Sequence, residues 1–229
     1  MYDSPRSLPP RPRSASSRYP IPGGGHLCLE CNEKDEQDAR DRLKNGDPSS
    51  KCALYAADVA RERCGGKAGE VYQNAAMRFG AEQEPLARQA YERATGNVVF
   101  EVGFITDDEG YFGLSPDGLI DDDGVLEIKT MVSSDTLFTA LVDGDISAYI
   151  DQINGYLWML GRQWVDLVLW APDLSELGLA MKIIRIERDE EAIAALEDDL
   201  IKFLALVREN ESKLRKAAME FGPRGAVGP

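Results

Sequence analysis

The spacing of apolar and polar residues changes period twice along the chain. From Ser49 to Arg63, "SSKCALYAADVARER" repeats apolar residues at helical spacing behind a serine cap and stops at Gly65-Gly66, which predicts a first helix. A second helical stretch runs from about Asn74 to Thr95 and stops at Gly96, with Gly80 and Pro85 implying a break or kink inside it. The period then becomes two. "VVFEVGFIT" and "YFGLSPDGLI" read as strands, and "GVLEIKT" follows three aspartates, with Asp123-Gly124 the dipeptide favoured in tight hairpins. After a loop, a helix over about Ala148 to Gly161, strands in "WVDLVLWAP" and "AMKIIRIE", and a closing helix in "DEEAIAALEDDLIKFLALVREN" complete the pattern. That order predicts an α/β domain with a mixed central sheet flanked by helices. No internal repeat is visible.

Composition sorts the flanks from the core. Met1 to Gly25 hold six of the 12 prolines and four arginines against one aspartate, the composition of a mobile basic arm. His26 to Pro48 is polar and acidic, with a short helix expected near Glu33 to Lys44. The expected organisation is therefore an arm and polar segment over 1–48, a folded domain over 49–210 and a tail over 211–229. No run approaches the roughly 20 apolar residues of a membrane span, and the first residues lack the apolar stretch of a secretory signal, so a cytoplasmic protein without a membrane partner is expected.

Charge narrows the chemistry. Forty acids against 26 Lys+Arg leave a net charge of −14, so nucleic acid could be held only by a local basic surface, not by the overall field. There is one histidine, His26. With histidine all but absent, the chemistry would run on carboxylates, lysine and metal-bound water. Four cysteines, all before residue 65, do not make a disulfide scaffold. His26, Cys28 and Cys31 have the spacing of a partial zinc site, but reduced thiols are the simpler reading.

The acids concentrate in "SPDGLIDDDGVLEIK". With a turn over Asp121 to Gly124, residues whose numbers sum to about 245 face each other, which sets Asp117 opposite Glu127 or Ile128. Glu127 and Lys129 share one face of their strand and Ile128 points to the other. Paired carboxylates call for a hard divalent cation, Mg²⁺ or Mn²⁺, and a neighbouring lysine suits charge developing on a phosphate, so the set fits phosphodiester hydrolysis. Asp121 to Asp123 read as solvated decoration. Asp166, inside an apolar strand, is either a further candidate or a hydrogen-bonded structural residue; Tyr156, Leu157 and Trp158 read as packing residues.

"SPDG" followed by "LEIK" resembles the PD…(D/E)xK nuclease signature, and the surrounding segments resemble the phage lambda exonuclease, or YqaJ-like viral recombinase, family. "FGAEQEPLAR" is similar to its acidic helix, "AYIDQINGYLWMLGR" to its glutamine-bearing helix and "IRIERDE" to the strand entering its last helix, over roughly Asn74 to Leu206. The resemblance implies a restriction-endonuclease-like core. It implies Asp117 and Glu127 as metal ligands with the backbone carbonyl of Ile128, Lys129 as the residue that positions water or stabilises the transition state, Glu84 as an assisting carboxylate, and Gln152 as a contact to the site, with Tyr149 one turn before it.

The resemblance further implies a Mg²⁺-dependent 5′→3′ exonuclease with two ions per site, Mn²⁺ substituting, that digests one strand of linear duplex DNA to 5′-mononucleotides. Phage or prophage origin, a ring-shaped homotrimer around the duplex and a single-strand annealing partner come with it. A repair or restriction endonuclease, or a DNA-binding module with a dead nuclease fold, are the alternatives. Relatives begin with a tryptophan, an arginine implicated in holding the DNA 5′-phosphate, and a Thr-Ala-Ser turn, of which "RPRSASSR" is only a distorted echo, leaving Arg11, Arg13 and Arg18 as candidates without a choice among them. Related nucleases carry a four-cysteine iron-sulfur cluster in cysteines that flank the domain, whereas Cys28, Cys31, Cys52 and Cys64 all precede it.

Overall fold

The computed structural model describes residues 48–68 and 74–221. Arg11, Arg13, Arg18, His26, Cys28, Cys31 and the helix expected near Glu33 to Lys44 lie outside the described residues. Helix α1 (Ser50–Arg63) begins behind Ser49, whose hydroxyl accepts the Cys52 amide at 3.2 Å as the sequence led one to expect. From Leu54 onward the chain forms one compact unit. Within it, Ala56 and Ala60 of α1 pack on Val207.

Helix α2 (Ala75–Thr95) opens on Asn74, whose side chain accepts the Met77 amide at 2.8 Å, and closes on Gly96 in the left-handed conformation. The break expected at Gly80 and Pro85 does not occur. Proline deprives the Ala81 carbonyl of its helical donor, but Ala81 and Pro85 are both exposed, so water can take the donor's place. Glu84, Ala87, Arg88 and Tyr91 consequently fall on one stripe of an unbroken helix.

The stretch "VVFEVGFIT" divides into β1 (Val99–Phe100) and β2 (Ile105–Thr106), and "YFGLSPDGLI" into β3 (Gly113–Leu114) and β4 (Gly118–Ile120). Strands β2 and β3 form a separate two-stranded ribbon, while β1 pairs only with β4. Burial stops alternating between the two strands, the partly covered positions being Val99, Val102 and Ile105, so Glu101 to Phe104 join neither strand and the stretch is interrupted there. Strands β5 (Gly124–Thr130), β6 (Trp164–Trp170) and β7 (Met181–Glu187) complete a five-stranded sheet in the order β1-β4-β5-β6-β7. All its pairings are antiparallel except β5 with β6, whose parallel register requires a crossover, supplied through α3 (Ser147–Leu160). The connection before α3, expected as loop, contains a short helical segment whose Ala140 and Leu141 are buried. Helix α4 (Glu190–Phe221) runs past the expected Asn210. Its last turns keep apolar residues at helical spacing in Leu214, Ala217, Ala218 and Phe221, but all four are exposed, and the ion pairs of Glu209 with Lys213 and of Glu211 with Arg63 support these turns.

Both faces of the sheet are covered. Val125, Val165, Leu167 and Leu169 pack with Ile153 and Leu157 of α3 and Ile193 of α4, whereas Leu126, Ile128 and Val168 pack with Ala87 and Tyr91 of α2. Asp166 is a structural residue. It accepts from the Tyr91 hydroxyl at 2.6 Å and a two-pronged donation from Arg185 at 2.8 Å, and Arg185 in turn lies 3.7 Å from the Trp164 ring. Burial, with Asp166 accepting its proton, pushes the Tyr91 hydroxyl up to about 12.

The hairpin that carries the acids pairs Gly118 with Leu126 and Ile120 with Gly124. Its loop is Asp121 to Asp123, with Asp121 in the left-handed region (φ 45°), so Asp123-Gly124 is not the turn dipeptide. Gly124 serves close approach instead: a Cβ there would sit 2.2 Å from the Trp164 ring. Arg162, just beyond α3, donates to the carbonyls of Gly124 at 2.7 Å, Asp121 at 3.0 Å and Ile120 at 3.2 Å, pinning the loop. Replacing Arg162 by alanine is expected to lower unfolding stability in urea by about 1–3 kcal/mol, because three carbonyls lose a charged donor; an unchanged midpoint would show that the loop holds itself.

Candidate active site

At Gly118, the first residue of β4, the main-chain ladder along that edge of β5 stops opposite Leu126. Asp117, immediately before β4, fills the gap: its carboxylate accepts the Ile128 amide at 2.6 Å. The N–H and C=O of one strand residue point to the same side, so the Ile128 carbonyl opens into the same gap. Asp117, Glu127 and the Ile128 carbonyl are thereby brought to one place by the register predicted for the hairpin.

Glu127 and Lys129 project from the face of β5 covered by α3. Both faces of β5 feed the core, since Val125 joins it on the Glu127 side and Glu127 itself is 3% exposed. A carboxylate that deep requires partners. The Lys129 ammonium lies 2.6 Å from its Oε1, the Gln152 amide donates to the same oxygen at 3.0 Å, and the Tyr156 hydroxyl donates to Oε2 at 2.7 Å. Gln152 also accepts from Lys129 at 2.9 Å and donates to the Tyr156 oxygen at 2.5 Å, closing the ring of contacts. Gln152 and Tyr156 stand one turn apart on α3, and Tyr149, a turn earlier, places its ring 5.6 Å from the Lys129 nitrogen.

Tyr156, a packing residue by its place in the sequence pattern, has a second role. It is buried in the core, yet its hydroxyl orients Glu127, and burial together with the Glu127 charge holds that hydroxyl far above the usual tyrosine range. The usable signal was its four-residue spacing from Gln152. Glu84 lies inside α2, not at a helix start, and Arg88 binds it at 2.5 Å and Glu101 at 2.6 Å.

Burial, then the nearby charge of Glu127 and, more weakly, of Glu84, pushes the Asp117 carboxyl up to about 7, against the opposing pull of the Ile128 amide and Lys129. Glu127 has the Lys129 ammonium, Asp117 feels the charge of both Glu127 and Glu84, and the guanidinium that binds Glu84 is shared with Glu101. Among the described residues, no three His, Cys, Asp or Glu side chains are grouped to hold a metal by themselves. The set is instead two carboxylates and a carbonyl, all hard oxygen, with charge left to neutralise. That fits a cation of the Mg²⁺ kind, which keeps part of its water shell.

The YqaJ-like viral recombinase domain family matches residues 28–163. The chain belongs to that family. Among solved structures, this YqaJ-like chain is similar to an alkaline exonuclease from Laribacter hongkongensis, with 35% identity and a TM-score of 0.65 over 73% of this chain and 84% of that one. The same Laribacter exonuclease in complex with dAMP gives 34% identity, a TM-score of 0.65, and 73% and 85% coverage. A phage-related exonuclease from Haemophilus somnus 129PT shares the fold at 15% identity, with a TM-score of 0.57 over 77% of this chain and 87% of that one. No curated protein sequence matches. Among the described residues of this YqaJ-like chain, no helix is long and apolar enough to cross a membrane.

The Asp117 carboxyl makes stability depend on pH. Between its ordinary 3.8 and about 7, the folded protein binds a proton that the unfolded chain has released, so this group's contribution to stability falls as pH rises through that window. In metal-free buffer, Asp117→Asn, which keeps an acceptor for the Ile128 amide, is expected to melt above the wild type at pH 8. The advantage should vanish as the pH falls toward 4, and equal melting curves at pH 8 would contradict the crowding of charge described here.

Proposed function

We propose that this chain is a divalent-cation-dependent exodeoxyribonuclease that hydrolyses one strand of linear duplex DNA. The observation that carries the reading is the Asp117, Glu127 and Lys129 cluster, held by hairpin register and by Gln152 and Tyr156 in a chain of this family. The neighbour at 35% identity is named as an alkaline exonuclease, and its dAMP complex accords with a mononucleotide product.

Asp117, Glu127 and the Ile128 carbonyl would hold the cation, Mg²⁺ with Mn²⁺ as substitute, and Glu84, whose charge reaches Asp117, would be the carboxylate for a second ion. A bound ion supplies Lewis-acid charge at the scissile phosphate. The protein's own groups do the rest. Lys129 offers three N–H donors, of which Glu127 and Gln152 engage two. The third serves a phosphate oxygen or the attacking water, so the ammonium meets negative charge as it develops. Tyr156 and Gln152 keep Glu127 from turning away.

Further features of the proposal rest on family resemblance: 5′→3′ polarity, release of 5′-mononucleotides, a homotrimer encircling the duplex and a single-strand annealing partner. A ring would let a chain of net charge −14 stay on DNA by topology instead of by its field. A cytoplasmic setting in a phage-bearing host accords with these features.

The test is digestion of end-labelled linear duplex with Mg²⁺, alongside a covalently closed circle. Linear DNA should be degraded and the circle spared. Lys129→Ala should lose activity by about 10²–10³-fold, the scale of removing a transition-state donor. Tyr156→Phe should lower kcat by about 10–100-fold, as expected for a group that orients a metal ligand. Cutting of the closed circle would favour an endonuclease, and full activity in Lys129→Ala would sink the mechanism.

A further inference from the structure

Arginine is an uncommon residue on a buried helix stripe, and α2 carries one. Arg88 stands beside Ala87 and Tyr91, which are fully buried against Leu126, Ile128 and Val168 of the sheet, and is itself only 8% exposed. A guanidinium buried in this way gives little net stability, since the cost of taking it out of water offsets its ion pairs and an apolar side chain would pack as well. Its Nε is moreover buried without a partner among the described residues. Folding alone therefore does not account for an arginine at this place.

The guanidinium fork is split between two chain segments. Nη2 donates to Oε1 of Glu84 at 2.5 Å, one turn earlier on α2, and Nη1 donates to Oε1 of Glu101 at 2.6 Å. A two-pronged clasp on one carboxylate would be the stronger pair, so the split costs affinity for either partner. What it gains is a link. Glu101 directly follows β1, whose Phe100 faces Leu119 of β4, and Asp117 immediately precedes β4. Arg88 thus ties the helix that carries Glu84 to the strand pair that leads to Asp117. The tie closes on a packed base, because Ala87 shares its core cluster with Ile128, whose amide holds Asp117. Only one oxygen of Glu84 is taken; no hydrogen bond reaches Oε2 among the described residues.

We propose that Arg88 is a positioning residue for Glu84: it holds one oxygen of that carboxylate in fixed relation to Asp117, so that the other is presented to a divalent cation. The proposal rests on the nuclease reading of the site and adds to it the group that places the third carboxylate. Glu101 serves as the second anchor of the fork, not as a ligand. Without it, both N–H groups would close on Glu84 and capture the oxygen that the site uses. Removing the guanidinium strands no charge, since the side chains of Glu84 and Glu101 are 35% and 72% exposed and reach water, so Arg88→Met is expected to fold.

The test is a double-mutant cycle on Mn²⁺ binding, read from the electron paramagnetic resonance signal of the free ion. It compares the full-length wild type, Arg88→Met, Glu84→Gln and the double variant, with melting curves in metal-free buffer and digestion of linear duplex alongside. Arg88→Met should weaken Mn²⁺ binding about tenfold or more, the scale for a group that orients a metal-binding carboxylate, and should lower kcat at saturating DNA more than it raises KM. In the Glu84→Gln background the same substitution should change neither quantity, because no carboxylate is left to aim. A residue that only supports the fold would cost the same in both backgrounds, and equal losses would overturn the proposal. So would Mn²⁺ binding that Glu84→Gln leaves unchanged, since Glu84 would then face no ion. If Arg88→Met does not melt cooperatively, Glu101→Ala at the surface takes its place in the cycle. It should weaken Mn²⁺ binding where Glu84 is present and have no effect in Glu84→Gln; unchanged affinity in both backgrounds would overturn the proposal. The titration needs no DNA, which separates the two failures. Coupling between Arg88 and Glu84 in a protein that leaves duplex intact would remove the nuclease reading alone, and degradation of duplex without that coupling would remove this proposal alone.

Discussion

Two carboxylates held side by side repel, and this protein holds them there with main-chain geometry. The register of the β4–β5 hairpin puts Asp117 beside Ile128, whose amide it binds at 2.6 Å, while the alternation of β5 turns Glu127 and Lys129 to the same face. Much of the surrounding structure accommodates that repulsion. Gln152 and Tyr156 stabilise Glu127, Arg162 fixes the loop that sets the register, and a residual excess of negative charge is left for a cation. An arrangement that is poor for stability in a metal-free protein is well suited to binding an ion and bringing phosphate to it.

How much of this the sequence disclosed depends on the range of the interaction. The strand "GVLEIKT" is found where alternation placed it, Gly124 to Thr130, and Asp117 lies next to Glu127 because a hairpin turn transmits register over a few residues. The splitting of "VVFEVGFIT" was not legible, because which strand a segment pairs with is decided by the folded sheet and not by the local pattern of residues. The break at Pro85 failed to appear for a related reason: its cost depends on whether the orphaned carbonyl is exposed, and that is a property of the packed helix.

Within the site, the residues of the hairpin were readable one by one, and Gln152 through its family resemblance. Tyr156 was not, because a buried tyrosine serves packing and hydrogen bonding alike and only the fold shows which acceptor its hydroxyl meets. Arg162 was equally silent, since its partners are backbone carbonyls that carry no sequence signal. The ambiguity at Asp166 resolves toward structure, because Arg185 opposite it in the sheet and Tyr91 from α2 occupy its oxygens.

The most direct measurement is a titration of Mn²⁺ into the wild type and into Asp117→Asn, followed by the electron paramagnetic resonance signal of the free ion. The account predicts saturable binding by the wild type and its loss in the variant, which preserves shape and removes one charge. Equal binding by both proteins would contradict it, because the ion would then be held somewhere other than between the paired carboxylates.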